Sequence, residues 1–268
     1  MLSVIIPTCH RNDLLALCLN KLAPGNQSLP FNNYEVIVSD DGIESTAEAM
    51  IMDDYPWVKW IEGPKKGPAA NRNNGANCSC GEWLVFTDDD CLPEKEWLKS
   101  YQKQIYSNHY LYVLEGRTIA DRPQNRFDEQ APLNLVGNKL WSCNFAIKRD
   151  LFLKLNGFDD SFPFAAMEDV DFYTRVLKHT STHFVPEAIV IHPWRKAKPF
   201  DTFNKHLKSH VYFARKYKST SSLSFRWTRS KIFIHILFSD FRELFKFRMK
   251  GWRYYIEKCC LNFCLIFI

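Results

Sequence analysis

No stretch of the chain approaches the ~20 consecutive apolar residues that a membrane-spanning helix requires. Leu2–Pro7 is apolar but runs at once into Thr8-Cys9-His10-Arg11, which is not the shape of a secretory leader, and Cys259–Ile268 is only ten residues long. Nine cysteines are present, yet no pair of CxxC motifs is found among them, which excludes a zinc ribbon. Their odd number and irregular spacing predict reduced, mostly buried thiols and a reducing compartment. Internal repeats and low-complexity tracts are absent, as is any recognised nucleic-acid motif, so no nucleic-acid partner is expected. Acidic residues are scarce at one end only. Residues 195–268 carry 17 Lys+Arg against 4 Asp+Glu, whereas residues 1–194 carry 18 against 26. An acidic body joined to a basic, aromatic tail implies two physical tasks.

What is present is enough to build a large core: 46% of the 268 residues are hydrophobic and 15% aromatic. Leu2–Pro7, Tyr34–Ser39 and Glu82–Thr87 are continuous apolar, β-branched runs, the mark of strands buried on both faces. Between them, Asn12–Leu22 has a helical apolar stripe (Leu14, Leu15, Cys18, Leu19, Leu22), Ser45–Asp54 reads as a helix and Val58–Ile61 as a short strand, and Gly67 opens a helix through Asn77. This alternation predicts an α/β fold with a doubly wound, Rossmann-like sheet, whose ligands bind beyond the carboxyl ends of the strands. Leu111–Ile119 and Leu140–Lys148 are expected as strands of a second, smaller sheet. Asp150–Leu155 and Glu168–Lys178 are expected as helices, Thr182–Ile191 as a strand and Pro199–Tyr217 as a helix.

The strand ends bring Thr8, Asp40, Asp41 and the run Asp88-Asp89-Asp90 toward one edge. Three adjacent carboxylates repel one another and favour a cation; a hard divalent ion suits them, particularly beside a diphosphate. A solvated acidic turn is the plain alternative, but its place after a buried strand favours the ligand site. Glu168-Asp169 begins an expected helix, where carboxylates either cap the backbone or act on a ligand. Arg72 offers a forked donor to carboxylate or phosphate, or else a surface ion pair.

Five segments then resemble family 2 glycosyltransferases of the GT-A fold, in the family's order: SVIIPTCHR at the N-terminus, VIVSDDG at 36–42, KGPAANRNNGA at 66–76, CGEWLVFTDDDCLPEKEWL at 80–98, and NGFDDSF followed by MEDVDFYTRV within 156–176. Together they cover roughly residues 1–195. The resemblance implies a GT-A catalytic domain over 1–198, with a nucleotide-binding half to about 110 and an acceptor half after it. It implies inverting transfer of a sugar from a nucleotide-sugar, with UDP suited to the Asp40 and Arg72 pattern, onto an acceptor hydroxyl. Carried over by position, Pro7 and Thr8 line the nucleoside pocket and Asp40 accepts from the base edge, with Asp41 shaping the loop. Arg72 meets the base or diphosphate and Asp88 the ribose, with Asp89 beside it. Asp90, with Asp88 and His192, holds Mn²⁺ or Mg²⁺. Asp169 is the catalytic base with Glu168 its partner, and Trp141 and Asn144 lie on the acceptor side. Asn156, where the family more often has Gly, and Cys9-His10 depart from the pattern.

In the tail, Phe233, Ile236, Leu237, Phe241, Leu244 and Phe245 recur at helical spacing, with Arg242, Lys246 and Lys250 off that stripe. A basic amphipathic helix with aromatics fits a membrane surface, or packs on the catalytic domain. Residues 199–268 are therefore expected as a helical extension, held peripherally on the cytoplasmic face of a membrane, where a glycan or lipid-linked acceptor in surface polysaccharide synthesis would be met. Sugar nucleotidyl transfer is the nearest alternative, but the loop after the first strand has no glycine. A non-catalytic nucleotide-sugar-binding adaptor would have lost the acidic residues that are present here.

Overall fold

A computed structural model describes residues 1–44, 46–198, 201–217 and 223–268. Ser45 and Pro199, the first residues of two expected helices, lie outside the described residues. In chain order the elements are β1 (Leu2–Thr8), α1 (Asn12–Leu22), β2 (Tyr34–Asp40), α2 (Glu48–Asp54), β3 (Lys59–Glu62), α3 (Pro68–Asn77), β4 (Trp83–Thr87), β5 (Leu92–Pro93), α4 (Trp97–Ser107), β6 (Val113–Ala120), β7 (Glu129–Gln130) and β8 (Asn144–Lys148). After them come α5 (Arg149–Lys154), α6 (Glu168–Val176), β9 (His183–His192), β10 (Arg195–Lys196), α7 (Asp201–Lys216), α8 (Leu223–His235), a π-helical turn (Ile236–Asp240), α9 (Phe241–Lys246) and α10 (Trp252–Cys264). The chain divides into two compact units: residues 1–121, 132–160 and 168–193 form one, and residues 122–131, 161–167 and 194–268 the other.

The first unit is built on an eight-stranded sheet in the order β3-β2-β1-β4-β8-β6-β9-β5. Strands β3, β2, β1 and β4 are parallel. Beyond them β8 runs antiparallel to both β4 and β6. The apolar runs explain the burial. Along β1, Val4 and Ile6 enter one apolar cluster and Ile5 the other; along β4, Val85 enters the first and Leu84 and Phe86 the second. Each face of the sheet thus receives alternate residues, the period that strand geometry imposes.

Two expectations need correction. The strands foreseen at Leu111–Ile119 and Leu140–Lys148 do not make a second sheet; as β6 and β8 they extend the main one. Both are buried on two faces, with Leu114 and Ala146 in one cluster and Val113, Phe145 and Ile147 in the other. The small second sheet is instead β7 paired with β10. All nine cysteines are free, but only Cys18, Cys91 and Cys143 are buried, so the thiols are not mostly buried.

The second unit is largely helical. Arg126 grips Asp128 through Nε and Nη2 at 2.7 and 2.9 Å, and the backbone N–H of Ala197 donates to the Asp128 carbonyl at 2.7 Å. Phe127 lies against Tyr254 and Tyr255, and Phe162 against Tyr212. Ile236, Leu244 and Leu265 are among its buried side chains.

Candidate functional site

The parallel strands fix the site's floor. In the register of β1 and β2, Thr8 lies opposite Asp40, and β4 ends one residue before Asp88. Thr8, Asp40 and the aspartate triplet therefore leave the sheet along one edge, as parallel topology requires. Pro7 sits just inside that edge, paired with Ser39.

Asp40 and Asp41 hold backbone. Asp40 accepts from the N–H groups of Gly42 (2.8 Å) and Ala47 (2.6 Å) and from the Trp60 indole (3.4 Å). Asp41 accepts from the N–H groups of Lys65 and Gly67, both at 2.9 Å. Gly67, with φ of +90°, turns the chain into α3 in a conformation that an L side chain rarely adopts. Asn71, on that helix, donates to the carbonyls of Thr8 (3.1 Å) and Ser39 (2.8 Å), bracing the ends of β1 and β2.

Arg72 follows Asn71 on α3 and is 5% exposed. Its Nη2 donates to Asp88 Oδ1 at 2.6 Å, and its Nη1 lies 4.0 Å from Glu168 Oε1. The triplet after β4 and the Glu-Asp pair that opens α6 are thereby joined through one guanidinium. Phe158 lies under that guanidinium, 5.6 Å away, and its backbone is clamped by Asn73, which both donates to and accepts from it at 2.8 Å.

Asp89 is fully buried. It accepts from Thr8 Oγ1 at 2.8 Å and lies 2.9 Å from Arg11 Nη2. Arg11 also reaches within 3.8 Å of Asp90. Pairing of Leu92 with Ile191 places β5 beside the end of β9 and brings Asp90 Oδ1 within 3.7 Å of His192 Nε2. His192 Nδ1 lies 2.7 Å from the Pro193 carbonyl. That contact requires Nδ1–H, and burial lowers the imidazole's pKa, so Nε2 turns a lone pair toward the carboxylate.

Five carboxylates (Asp88, Asp89, Asp90, Glu168 and Asp169) thus gather around two guanidiniums, Arg11 and Arg72. Burial and the neighbouring Asp169 charge push the Glu168 carboxyl up to about 7, against the pull of Arg72. Burial also raises Asp169, although the Val170 N–H donates to its Oδ1 at 2.8 Å. Asp171 turns away and pairs with Arg175 at 2.8 Å.

These groups fit a divalent cation. A lone pair on His192 facing the Asp90 carboxylate, within an excess of negative charge, is a donor set for an ion that accepts oxygen and imidazole nitrogen. Cys91 lies close enough to share it. Burial and the bond it makes with Cys143 raise its thiol pKa far above the usual value, which makes it a poor ligand.

Trp141 and Asn144 spend their hydrogen bonds elsewhere, although Asn144 lies opposite Thr87 in the sheet. Trp141 is half-buried against the core and donates its indole N–H to the Leu133 carbonyl at 3.1 Å. Asn144 is 1% exposed. It accepts from Trp97 and Tyr101, both at 2.8 Å, and donates to the carbonyls of Arg117 (2.9 Å) and Ala188 (3.1 Å). Its bonding capacity is spent inside the fold, so it is an interior hub and is not available to an acceptor. Arg11 is the residue sequence reasoning missed. Its signal was a cation in the loop directly after β1.

The family model for glycosyl transferase family 2 matches residues 3–173. An uncharacterized glycosyltransferase of Haemophilus influenzae is 30% identical over 222 residues, 76% of this chain and 73% of that protein. The poly(ribitol-phosphate) beta-glucosyltransferase of Bacillus spizizenii is 32% identical over 150 residues; the match takes in 52% of this chain but only 23% of that larger enzyme. Among solved structures, Staphylococcus aureus TarS 1–349 with UDP-GlcNAc superposes with a TM-score of 0.59 at 21% identity, covering 88% of this chain and 66% of that one. A Pyrobaculum calidifontis mannosyltransferase with GDP-Man and Mn²⁺ gives 0.59 at 17% identity, covering 82% and 65%. Both structures share the fold.

Proposed function

The chain belongs to glycosyl transferase family 2, and from that premise we propose that it moves a sugar with inversion from a UDP-sugar to a hydroxyl of a surface glycan or its lipid-linked precursor. The observation that carries this reading is Arg72, 2.6 Å from Asp88 and 4.0 Å from Glu168, because it brings the triplet and the Glu-Asp pair together around one guanidinium. Uridine is the proposed base because TarS, solved with UDP-GlcNAc, shares the fold; the Pyrobaculum enzyme, solved with GDP-Man, marks the guanosine alternative.

In this reading Pro7, Thr8 and the loop held by Asp40 and Asp41 wall the nucleoside pocket. Asp40, with both oxygens engaged by the chain, shapes that wall more than it reads the base. Asp88 and Arg72 face the ribose and diphosphate. Asp90 and His192 hold Mn²⁺ or Mg²⁺, with Asp88 and Asp89 adding charge. When bound, the cation neutralises charge that develops on the leaving diphosphate.

The acceptor oxygen attacks the anomeric carbon as the bond from that carbon to the diphosphate oxygen breaks. Asp169 takes the hydroxyl proton. Burial raises its pKa and makes it a stronger base than a solvated aspartate. Glu168, near half-protonated at neutral pH, limits the negative charge beside it. Trp141 offers an aromatic face on the acceptor side.

Among the described residues no helix is long and apolar enough to cross a membrane. We place the chain at the cytoplasmic face through its second unit. Asp169→Asn tests the chemistry: donor binding stays, and transfer falls by roughly 10²–10⁴. A variant that keeps full transfer removes Asp169 from the role of base.

A further inference from the structure

Residues 223–246 form a continuous helical segment in which α8 passes through the π turn into α9. The stripe marked in the sequence divides. Ile236 and Leu244 are buried, and Phe233 packs on Phe263 of α10 with ring centroids 5.7 Å apart. A different line faces outward: Trp227 (62% exposed), Ile234 (53%), Phe238 (70%), Phe241 (42%) and Phe245 (58%), with Trp252 (48%) beyond it. From Trp227 to Phe245 the positions advance by three, four or seven within one helical segment, and Phe241 lies edge-on to Phe245 with ring centroids 4.9 Å apart, so these five form one seam, while Trp252 opens α10. Single exposed apolar side chains are ordinary, but a contiguous row of large aromatics is the signature of a covered face.

Cations interleave with this seam. Lys231, Arg242 and Lys246 line a groove of about 720 Å³ whose apolar residues are Ile234 and Phe238. Glu243 also lines the groove and pairs with Lys246 at 2.5 Å, and Asp240 pairs with Lys258 at 2.7 Å, so Lys231 and Arg242 carry the groove's net positive charge. Arg248, Lys250 and Arg253 extend the positive charge. A second copy docked along the seam would bring these cations against their equivalents. A surface that is negative outside and apolar beneath satisfies both halves of the pattern.

We infer that this outward seam is a docking surface for an anionic bilayer, with Trp227, Phe238 and Phe245 in the acyl boundary and the flanking cations on lipid phosphates. The inference deepens the reading of where the chain works and rests on no part of the transfer chemistry. The test is co-sedimentation of the full chain with phosphatidylcholine vesicles and with vesicles of mixed phosphatidylcholine and phosphatidylglycerol. Binding is expected to the mixed vesicles, weakened by salt. Phe238→Ser with Phe245→Ser is expected to reduce it at least tenfold, and Arg242→Gln about fivefold. These side chains are exposed, so each variant should keep the wild-type melting curve and UDP-sugar titration. Equal binding to both vesicles by wild type and variants overturns the inference. So does a concentration-dependent dimer, without vesicle binding, that the double serine variant dissociates. Vesicle binding without UDP-sugar binding would uphold the seam while removing UDP as the donor nucleotide.

Discussion

Replacing Glu168 with Gln should make the protein more stable above neutral pH and leave it unchanged in acid. In the folded chain burial lifts this carboxyl from its ordinary 4.5 to about 7. Between those values the folded state keeps a proton that the unfolded chain has released. Stability is therefore highest below about pH 4.5, falls as pH rises and levels off above about pH 7. Such a displacement corresponds to ~3 kcal/mol at pH 8. Glu168→Gln removes the ionisation but keeps the shape, so it recovers up to that amount. For a unit of this size the gain is roughly 6–12 °C in melting midpoint. The assay is thermal unfolding of both proteins from pH 5 to pH 8.5. Curves that converge in acid and separate above pH 7 support a charged carboxylate held at a cost in the cleft. Parallel curves across the range would refute it, because they would mean that Glu168 titrates like a solvated residue. A stabilised variant with reduced transfer would show that the buried charge serves function against stability.

Asn144→Ala strands the buried Trp97 and Tyr101 donors, each worth about 1–3 kcal/mol, so a lower unfolding midpoint in urea with unaltered UDP-sugar affinity is expected; unchanged stability with weakened acceptor binding would return Asn144 to the site. Asp169→Asn should leave the unfolding midpoint within a few degrees while transfer is lost, and a collapse of the fold would instead mark Asp169 as structural.

The parallel half of the sheet was legible because its strands are local, apolar runs, and Leu2–Thr8 and Asn12–Leu22 begin where the sequence says. The assignment of β6 and β8 to a separate sheet failed because strand pairing is non-local. Nothing within Leu140–Lys148 says that it lies between β4 and β6. Helix α4 carried a signal that went unread. Trp97, Leu98 and Tyr101 are spaced for one helical face, and all three are fully buried. In the cleft, residue types and order foretold that the triplet and the Glu-Asp pair belong together. They could not foretell that Arg72 joins them, that Arg11 reaches Asp89, or that Asn144 spends its bonds inside the core. Those facts depend on side-chain directions that the fold sets. In the tail, the spacing gave a helix but not its polarity, because apolar side chains lie on more than one side of the segment and tertiary packing, which buries Ile236 and Leu244, decides between them.

The most direct measurement is a calorimetric titration of UDP-GlcNAc into wild-type protein and Asp90→Asn, each with and without Mn²⁺. Binding should strengthen at least tenfold with the ion in the wild type, and the ion effect should disappear in the variant. Equal affinities in all four titrations would contradict the claim that Asp90 holds an ion beside a nucleotide-sugar, and no binding in any would contradict UDP-GlcNAc as its donor.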